Sequence, residues 1–487
     1  MKKSGLFKVL LAVLFVVVIA SWFISASMFD PQTGSVMSLT DIFTQYYGLD
    51  LKSIQIGFFD IFKLIFATLM YFGEKLIFIL SVGAFYGVLA KTGKYRAWID
   101  KLAEKFKGME TTVVIAISII LILISSFTNL GILLFMFIPM LVGLVIALGY
   151  DKTTAFISTF GAVILGEFGS TFGHNISASI NGALGTVLKT GIGYRLILLA
   201  FGIAFLIIFI IKSKRNKNDA KELDSFIGEK SSNKYSVVPL FVVFGILFVL
   251  LILGCTVWSD IFKTNVFETM HNNIMATKIG KAEVFKNITG IYYNLFFSSN
   301  STVTPSLGAL GTWGLQEMSI IILLASLLVG RLYRMKHSEV LNSMIDGAKK
   351  LLAPALLVLF AHTILIASQY YYPTVGDAIL KLTSKFNVLT SSLTMALGSL
   401  FNMDVSYIAS NVIPQIMTKG GNTTIIMLMS QGIYGIISLM APTSIMLILG
   451  LSYLNLPYGE YIKKCWKYIL ILLAILIAFL LILSFVL

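Results

Sequence analysis

Residues Gly166–Asn175 read GEFGSTFGHN, and they sit inside an otherwise apolar segment that runs from Thr153 to Leu188. Glycines weaken a helix by about 1 kcal/mol each relative to alanine. A carboxylate at membrane depth is costly enough to need a partner or a role. Three glycines, Glu167, His174 and Asn175 together therefore mark an interrupted helix rather than an uninterrupted span. What kind of fold tolerates such an interruption depends on the rest of the chain.

The 487 residues are 57% hydrophobic and only 12% charged, with a mean hydropathy of +0.89. That is too little polar surface to coat a soluble globule, and several apolar runs reach the roughly 20 residues that cross a bilayer. The chain is expected to be an all-α polytopic protein of the cell membrane with the lipid bilayer as its surroundings. Its formal charge of +14 lies in short clusters between apolar runs, the pattern of positive-inside loops and not of a nucleic-acid surface. Cys255 and Cys465 make no disulfide framework, and no Cys/His spacing points to a metal site. The start, MKKSGLFK followed by an apolar run and SAS, reads as an uncleaved first helix because many more spans follow it.

Basic clusters orient these runs. Lys2, Lys3 and Lys8 place the N-terminus in the cytoplasm, and Val9 to Met28 crosses outward. Glu74 to Ala90 returns to a segment with six cationic residues between Lys91 and Lys107, whose Trp98, Leu102 and Phe106 have the spacing of an interfacial helix. The most polar stretch, residues 212–235, is a cytoplasmic linker between a first half, 1–211, and a second half, 236–487. In the second half Val237 to Val257, Met318 to Val329 and Leu352 to Gln369 cross in turn, and a last span after Lys463, Lys464 and Lys467 leaves the C-terminus outside. Residues 111–149 are broken by SSFTNLG at Ser125–Gly131, and residues 389–418 by FNMDVS at Phe401–Ser406. The flanks of each pair lie on one side, so both are expected to be re-entrant hairpins, one entering from inside and one from outside.

The two halves carry matching elements. Ile99–Phe106 (IDKLAEKF) and Ile379–Phe386 (ILKLTSKF) share IxKLxxKF, and each precedes a broken hairpin with a proline in its second arm, Pro139 or Pro414. A turn and a threonine pair follow, ending at Thr154 and Thr424. Each pair opens a broken helix, residues 153–190 and 423–455, the second interrupted at SLMAPTS, Ser438–Ser444. Matching elements of opposite orientation are the mark of an inverted-repeat secondary transporter. Irregular backbone survives at membrane depth only where protein or water satisfies it. The four breaks are thus expected to meet near the midplane and to offer free helix-terminal N–H groups to an anion.

The runs GYDKTTAFISTFGAVILGEFGSTFGHN, GIGYR, MIDGAKKLLAPALLVLFAHTILIAS and MAPTSIMLILGLSYLNLPYGEYIKKCWKYI resemble the YfcC/DcuC-type carriers of the ion transporter superfamily, over about Glu74 to Leu487. The resemblance implies scaffold spans, two opposed hairpins and two discontinuous helices, as in the AbgT-type transporters with nine crossings. Counted over the whole chain, the apolar runs also give nine crossings. It implies C4-dicarboxylates or basic amino acids as substrates, the latter in arginine/ornithine exchangers, and allows a homodimer. The tip SSFTNLG departs from the Gly- and Glu-containing stretch expected there, and Glu167 is a second departure.

Candidate ligand or ion contacts are Ser126, Thr128 and Asn129 at the first tip, and Asn402, Asp404 and Ser406 at the second. Glu167, Ser170, Thr171 and Asn175 belong to the first broken helix, and Pro442, Thr443 and Ser444 to the second. His362, in the apolar AHTILIAS, is expected to be a satisfied packing histidine, and Asp151 a helix cap. No Lys or Arg occurs in the four breaks, whereas Glu167 and Asp404 do. A desolvated carboxylate gains most from an opposing cation. The cation is taken to be the side chain of a basic amino acid, with a coupling Na⁺ or H⁺ as the alternative and no cofactor. The absence of HExxH, GxSxG and paired aspartates on adjoining spans argues against an enzyme.

Overall fold

The most extensive packing in the bundle joins two long helices through close glycine contacts. The computed structural model describes residues 4–48, 54–128, 130–213, 228, 236–280, 282–283 and 308–487, so most of the linker 212–235 lies outside the described residues. Among the described residues, seven helices of at least 18 residues are apolar enough to cross a membrane. Two of them, Asp60–Thr92 and His337–Ser368, pack along each other more extensively than any other pair. A Cβ at Gly87 would lie 2.1 Å from the Ser343 carbonyl, and one at Gly347 2.1 Å from that of Gly83. Backbones approach this closely only where side chains are absent, as in small-xxx-small packing between membrane helices. At 33 residues the first of these helices is about 50 Å long, so the expected crossing Glu74–Ala90 is its second half.

Of the other long apolar helices, Val238–Cys255, Leu315–Leu332 and Tyr458–Val486 match the expected runs with modest shifts, and Ile192–Lys212 follows the first broken helix. The first helix, Ser4–Ala20, stops well short of the expected Met28. Residues Ser27–Asp30 instead pair antiparallel with Ser35–Ser38. Asp30 closes this hairpin by accepting from the Gln32 amide and the Thr33 hydroxyl, while Gly34 takes φ +65°, the usual chemistry of a tight turn. A second short pair joins Lys278–Ile279 to Ala282–Glu283. The all-α expectation is corrected to this extent: the membrane part is helical, and the loops carry two short β-hairpins.

Both segments flagged as hairpins are broken where expected. Glu110–Phe127 gives way at Thr128 to a tight 3-10 turn, Gly131–Met136, and then to Ile138–Ala147. Val388–Phe401 gives way at Asn402–Asp404 to Val405–Tyr407, a π-helical turn Ile408–Val412 and Ile413–Met417. Pro139 and Pro414 each occupy the second position of the final helical piece, where a missing N–H costs nothing. Asp151 then accepts from the Thr154 amide at 2.8 Å and Asn422 from the Thr424 amide at 2.8 Å, capping the two helices that follow. The IxKLxxKF pair, by contrast, differs in form. Ile99–Lys105 is helical within Lys94–Lys105, with Tyr95, Trp98 and Ile99 buried. The second copy leaves its helix at Leu380. Thr383 and Ser384 replace Ala103 and Glu104 there, and short hydroxyl side chains compete for backbone groups that a helix needs.

Candidate functional site

The GEFGSTFGHN stretch is interrupted at residues 169–173, between Ala162–Phe168 and the π-helical turn His174–Ala178. Its glycines are required by close approach, not by unusual torsions. A Cβ at Gly166 would lie 2.5 Å from Ser125 Cβ, at Gly169 2.4 Å from Leu199 Cα, and at Gly173 2.6 Å from Ser170 Oγ. Gly166 and Gly169 let two different helices press against the broken one, and Gly173 lets the Thr128 carbonyl approach to 3.1 Å of where a Cβ would stand.

Much of the polar backbone freed by the break finds a partner. The amides of Thr171, Phe172 and Gly173 all point to the carbonyl of Ser126, at 3.0, 3.2 and 3.1 Å, and the Thr171 hydroxyl donates to it as well at 3.2 Å. The Ser126 hydroxyl donates to Gly169 O at 2.8 Å. Gln431, from the second half, donates to the carbonyls of Phe168 (3.2 Å) and Ser170 (2.9 Å). Arg195 donates to those of Thr171 and Leu188, each at 2.9 Å, and is itself fully buried. Ser170 and Ser177 join their hydroxyls at 2.8 Å. Three N–H groups of this break are thus taken up by the first tip, which supplies the acceptor that converging amides at membrane depth need.

The second break, between Thr423–Ser438 and Ile445–Tyr453, is closed by Thr443, whose hydroxyl donates to Leu400 O at 2.8 Å. Pro442 is buried in its turn. At the second tip Asp404 caps Val405–Tyr407 by accepting from the amides of Ser406 (2.8 Å) and Tyr407 (3.3 Å), while its own amide donates to Asn402 Oδ1 at 3.1 Å. At the first tip the Thr128 hydroxyl donates to Ile124 O at 2.5 Å.

In front of these knots lies a cavity of about 400 Å³ whose wall includes Glu74, Lys75, Glu167, Asp404, Ser406 and Ser444. Of the residues singled out from the sequence, Glu167, Asp404, Ser406 and Ser444 are brought together there. Ser126, Ser170, Thr171, Asn402 and Thr443 lie buried behind them. Asn129 and the Asn175 side chain lie outside the described residues. Glu167 Oε1 faces the first hairpin, 3.3 Å from where a Cβ on Gly131 would stand. Gly131 and Tyr434 also border the cavity, so its wall draws on both halves.

Sequence reasoning gave Lys75 no role, since it lies in an uninterrupted helix. Its Nζ is 2.9 Å from His362 Nε2 and 4.5 Å from the centre of the Phe72 ring. His362 is 3% exposed and its Nδ1 lies 2.8 Å from Val358 O. A carbonyl only accepts, so Nδ1 carries the proton, and the lone pair on Nε2 accepts from the lysine ammonium. The available signal was the charged pair Glu74–Lys75 in the middle of an apolar helix. Arg195, in the quoted GIGYR, is the second cation missed. The observation that the breaks lack Lys and Arg stands, but cations reach the site and its back wall from continuous helices.

Interrupted helices from two halves around a charged cavity define a membrane carrier. The chain belongs to the C4-dicarboxylate anaerobic carrier family, DcuC, whose model matches residues 4–414. It is 24% identical over 339 residues to a putative basic amino acid antiporter, YfcC, of Escherichia coli, covering 67% of this chain and 56% of that one. An uncharacterised protein of Haemophilus influenzae is 28% identical over 137 residues, 28% of this chain and 27% of that protein. The matches thus span about half or less of these relatives' own lengths. Among solved structures, the YdaH transporter of Alcanivorax borkumensis aligns with TM-score 0.39 and 13% identity, over 99% of this chain and 97% of that one. MtrF of Neisseria gonorrhoeae, described as illuminating a class of antimetabolite efflux pumps, aligns with TM-score 0.35 and 16% identity, over 99% and 96%.

Proposed function

We propose that this transporter exchanges basic amino acids, such as arginine for ornithine, across the cell membrane by alternating access. The observation that carries the reading is the charge content of the cavity: three carboxylates, Glu74, Glu167 and Asp404, face one ammonium, Lys75. A basic amino acid matches both signs, with its carboxylate toward Lys75 and its guanidinium or ammonium toward the acidic side chains. A dicarboxylate would meet a net negative wall. Exchange needs no ion gradient, so the acidic residues require no coupling ion.

The same reading takes the two halves, 1–211 and 236–487, as an inverted repeat with opposed hairpins and nine crossings, the N-terminus in the cytoplasm and the C-terminus outside. The parallel caps at Asp151 and Asn422, and the parallel placements of Pro139 and Pro414, support it. The second reading, a Na⁺- or H⁺-coupled C4-dicarboxylate carrier, is favoured by Lys75 and by the family's description. Purified protein in liposomes decides between them. Counterflow of labelled arginine driven by internal ornithine, equal with and without Na⁺, is the expected result. Uptake of succinate with no response to arginine would establish the second reading instead.

A further inference from the structure

Lys75 is half-buried on the helix Asp60–Thr92 and makes one hydrogen bond there. An ammonium has three donors and no acceptor. One donor is taken by His362 Nε2 at 2.9 Å, and the Phe72 ring covers the charge at 4.5 Å. Glu74, Glu167 and Asp404 border the same cavity, yet no described residue forms an ion pair with Lys75 within 4.0 Å. Lys75 itself lines this cavity, and His362 is its one hydrogen-bond partner among the described residues. The glycine contacts of Gly83 and Gly87 with Gly347 and Ser343 lock the two helices that carry Lys75 and His362, and groups mounted on locked helices hold their geometry better than groups on loops.

We propose that Lys75 seats the carboxylate of the transported molecule and that His362 is the positioning residue that holds it there. The inference rests on the carrier reading above and assigns the end of the substrate that Glu167 and Asp404 do not hold. His362 contributes a neutral lone pair: it turns the ammonium toward the cavity without cancelling its charge, which a carboxylate in the same place would do. A Lys75 paired to an acid would be a structural bridge; a Lys75 held by an imidazole keeps its full charge for a ligand.

The test compares arginine with agmatine, which has the same guanidinium and lacks the carboxylate, by competition against labelled counterflow in proteoliposomes of the full chain. Lys75→Met is expected to weaken arginine roughly ten- to hundredfold, the range for a charged hydrogen bond, and to leave agmatine unchanged. His362→Gln, which keeps an acceptor, should retain arginine affinity, whereas His362→Leu should reproduce the selective loss. Equal losses for arginine and agmatine, or unchanged arginine affinity, would overturn the assignment. Should Lys75→Met fail to purify as a folded protein, the wild type still decides: arginine methyl ester must bind as weakly as agmatine, and binding as tight as arginine overturns the proposal. If the wild type takes succinate and not arginine, the amino-acid reading fails by itself. Lys75 is then judged on succinate, whose loss in Lys75→Met sustains the seat and whose retention removes it.

Discussion

Gln431 Nε2 donates to the Ser170 carbonyl at 2.9 Å and to the Phe168 carbonyl at 3.2 Å, so a side chain of the second broken helix completes the backbone of the first. The same two elements touch at Gly435, where a Cβ would lie 2.5 Å from Phe168 Cα. The two interrupted helices are therefore one structural unit. Replacing Gln431 with Leu conserves bulk, strands the buried Phe168 carbonyl, at a cost of about 1–3 kcal/mol, and leaves the Ser170 carbonyl with only the Ser177 hydroxyl at 3.2 Å. The expected outcome is a clearly lower melting temperature in detergent with little change in expression. An unchanged melting temperature would mean that water enters the break and replaces the amide.

The glycine-locked pair Asp60–Thr92 and His337–Ser368 supplies a second prediction. At Gly87 a methyl group would meet the Ser343 carbonyl at 2.1 Å, and no flexible side chain is there to move. Gly87→Ala should force the helices apart, with a loss of about 1–3 kcal/mol from overpacking, and should abolish transport by shifting Lys75 away from His362. Gly245→Ala, where nothing lies within 4 Å of the added carbon, is the matched control and should behave as wild type. Thermal unfolding and counterflow on the two variants check this, and equal behaviour would show that the close approach is not maintained.

Glu167 and Asp404 reach the cavity from opposite halves, and their neutral variants separate the substrate classes. If either carboxylate holds a guanidinium, Glu167→Gln or Asp404→Asn should reduce arginine affinity by ~1.5–3 kcal/mol, equally with and without Na⁺. If it serves a coupling ion, exchange persists while gradient-driven accumulation is lost. Tighter succinate binding in either variant would overturn the choice of a basic amino acid.

The sequence by itself determined the helical membrane class and the positions of the four breaks at Ser125–Gly131, Gly166–Asn175, Phe401–Ser406 and Ser438–Ser444. Hydropathy and charge are additive along the chain, so spans, basic clusters and breaks are visible locally. The order of hairpin, capped threonine pair and broken helix was legible for the same reason, as were Glu167 and Asp404, charges stranded in apolar runs. Even the failure at Ile379–Phe386 is local in origin, since Thr383 and Ser384 outweigh a motif match. Only the tertiary structure decided which polar groups remain free for a ligand. Ser126, Ser170 and Thr171 resemble binding residues in one dimension, but the hairpin tip folds onto the break and consumes their hydrogen bonds among themselves. Lys75 and His362 are 287 positions apart, and nothing local to either indicates the other. They meet because glycines far along the same two helices allow the backbones to touch, and close packing between distant segments has no signature in the sequence near the residues it brings together.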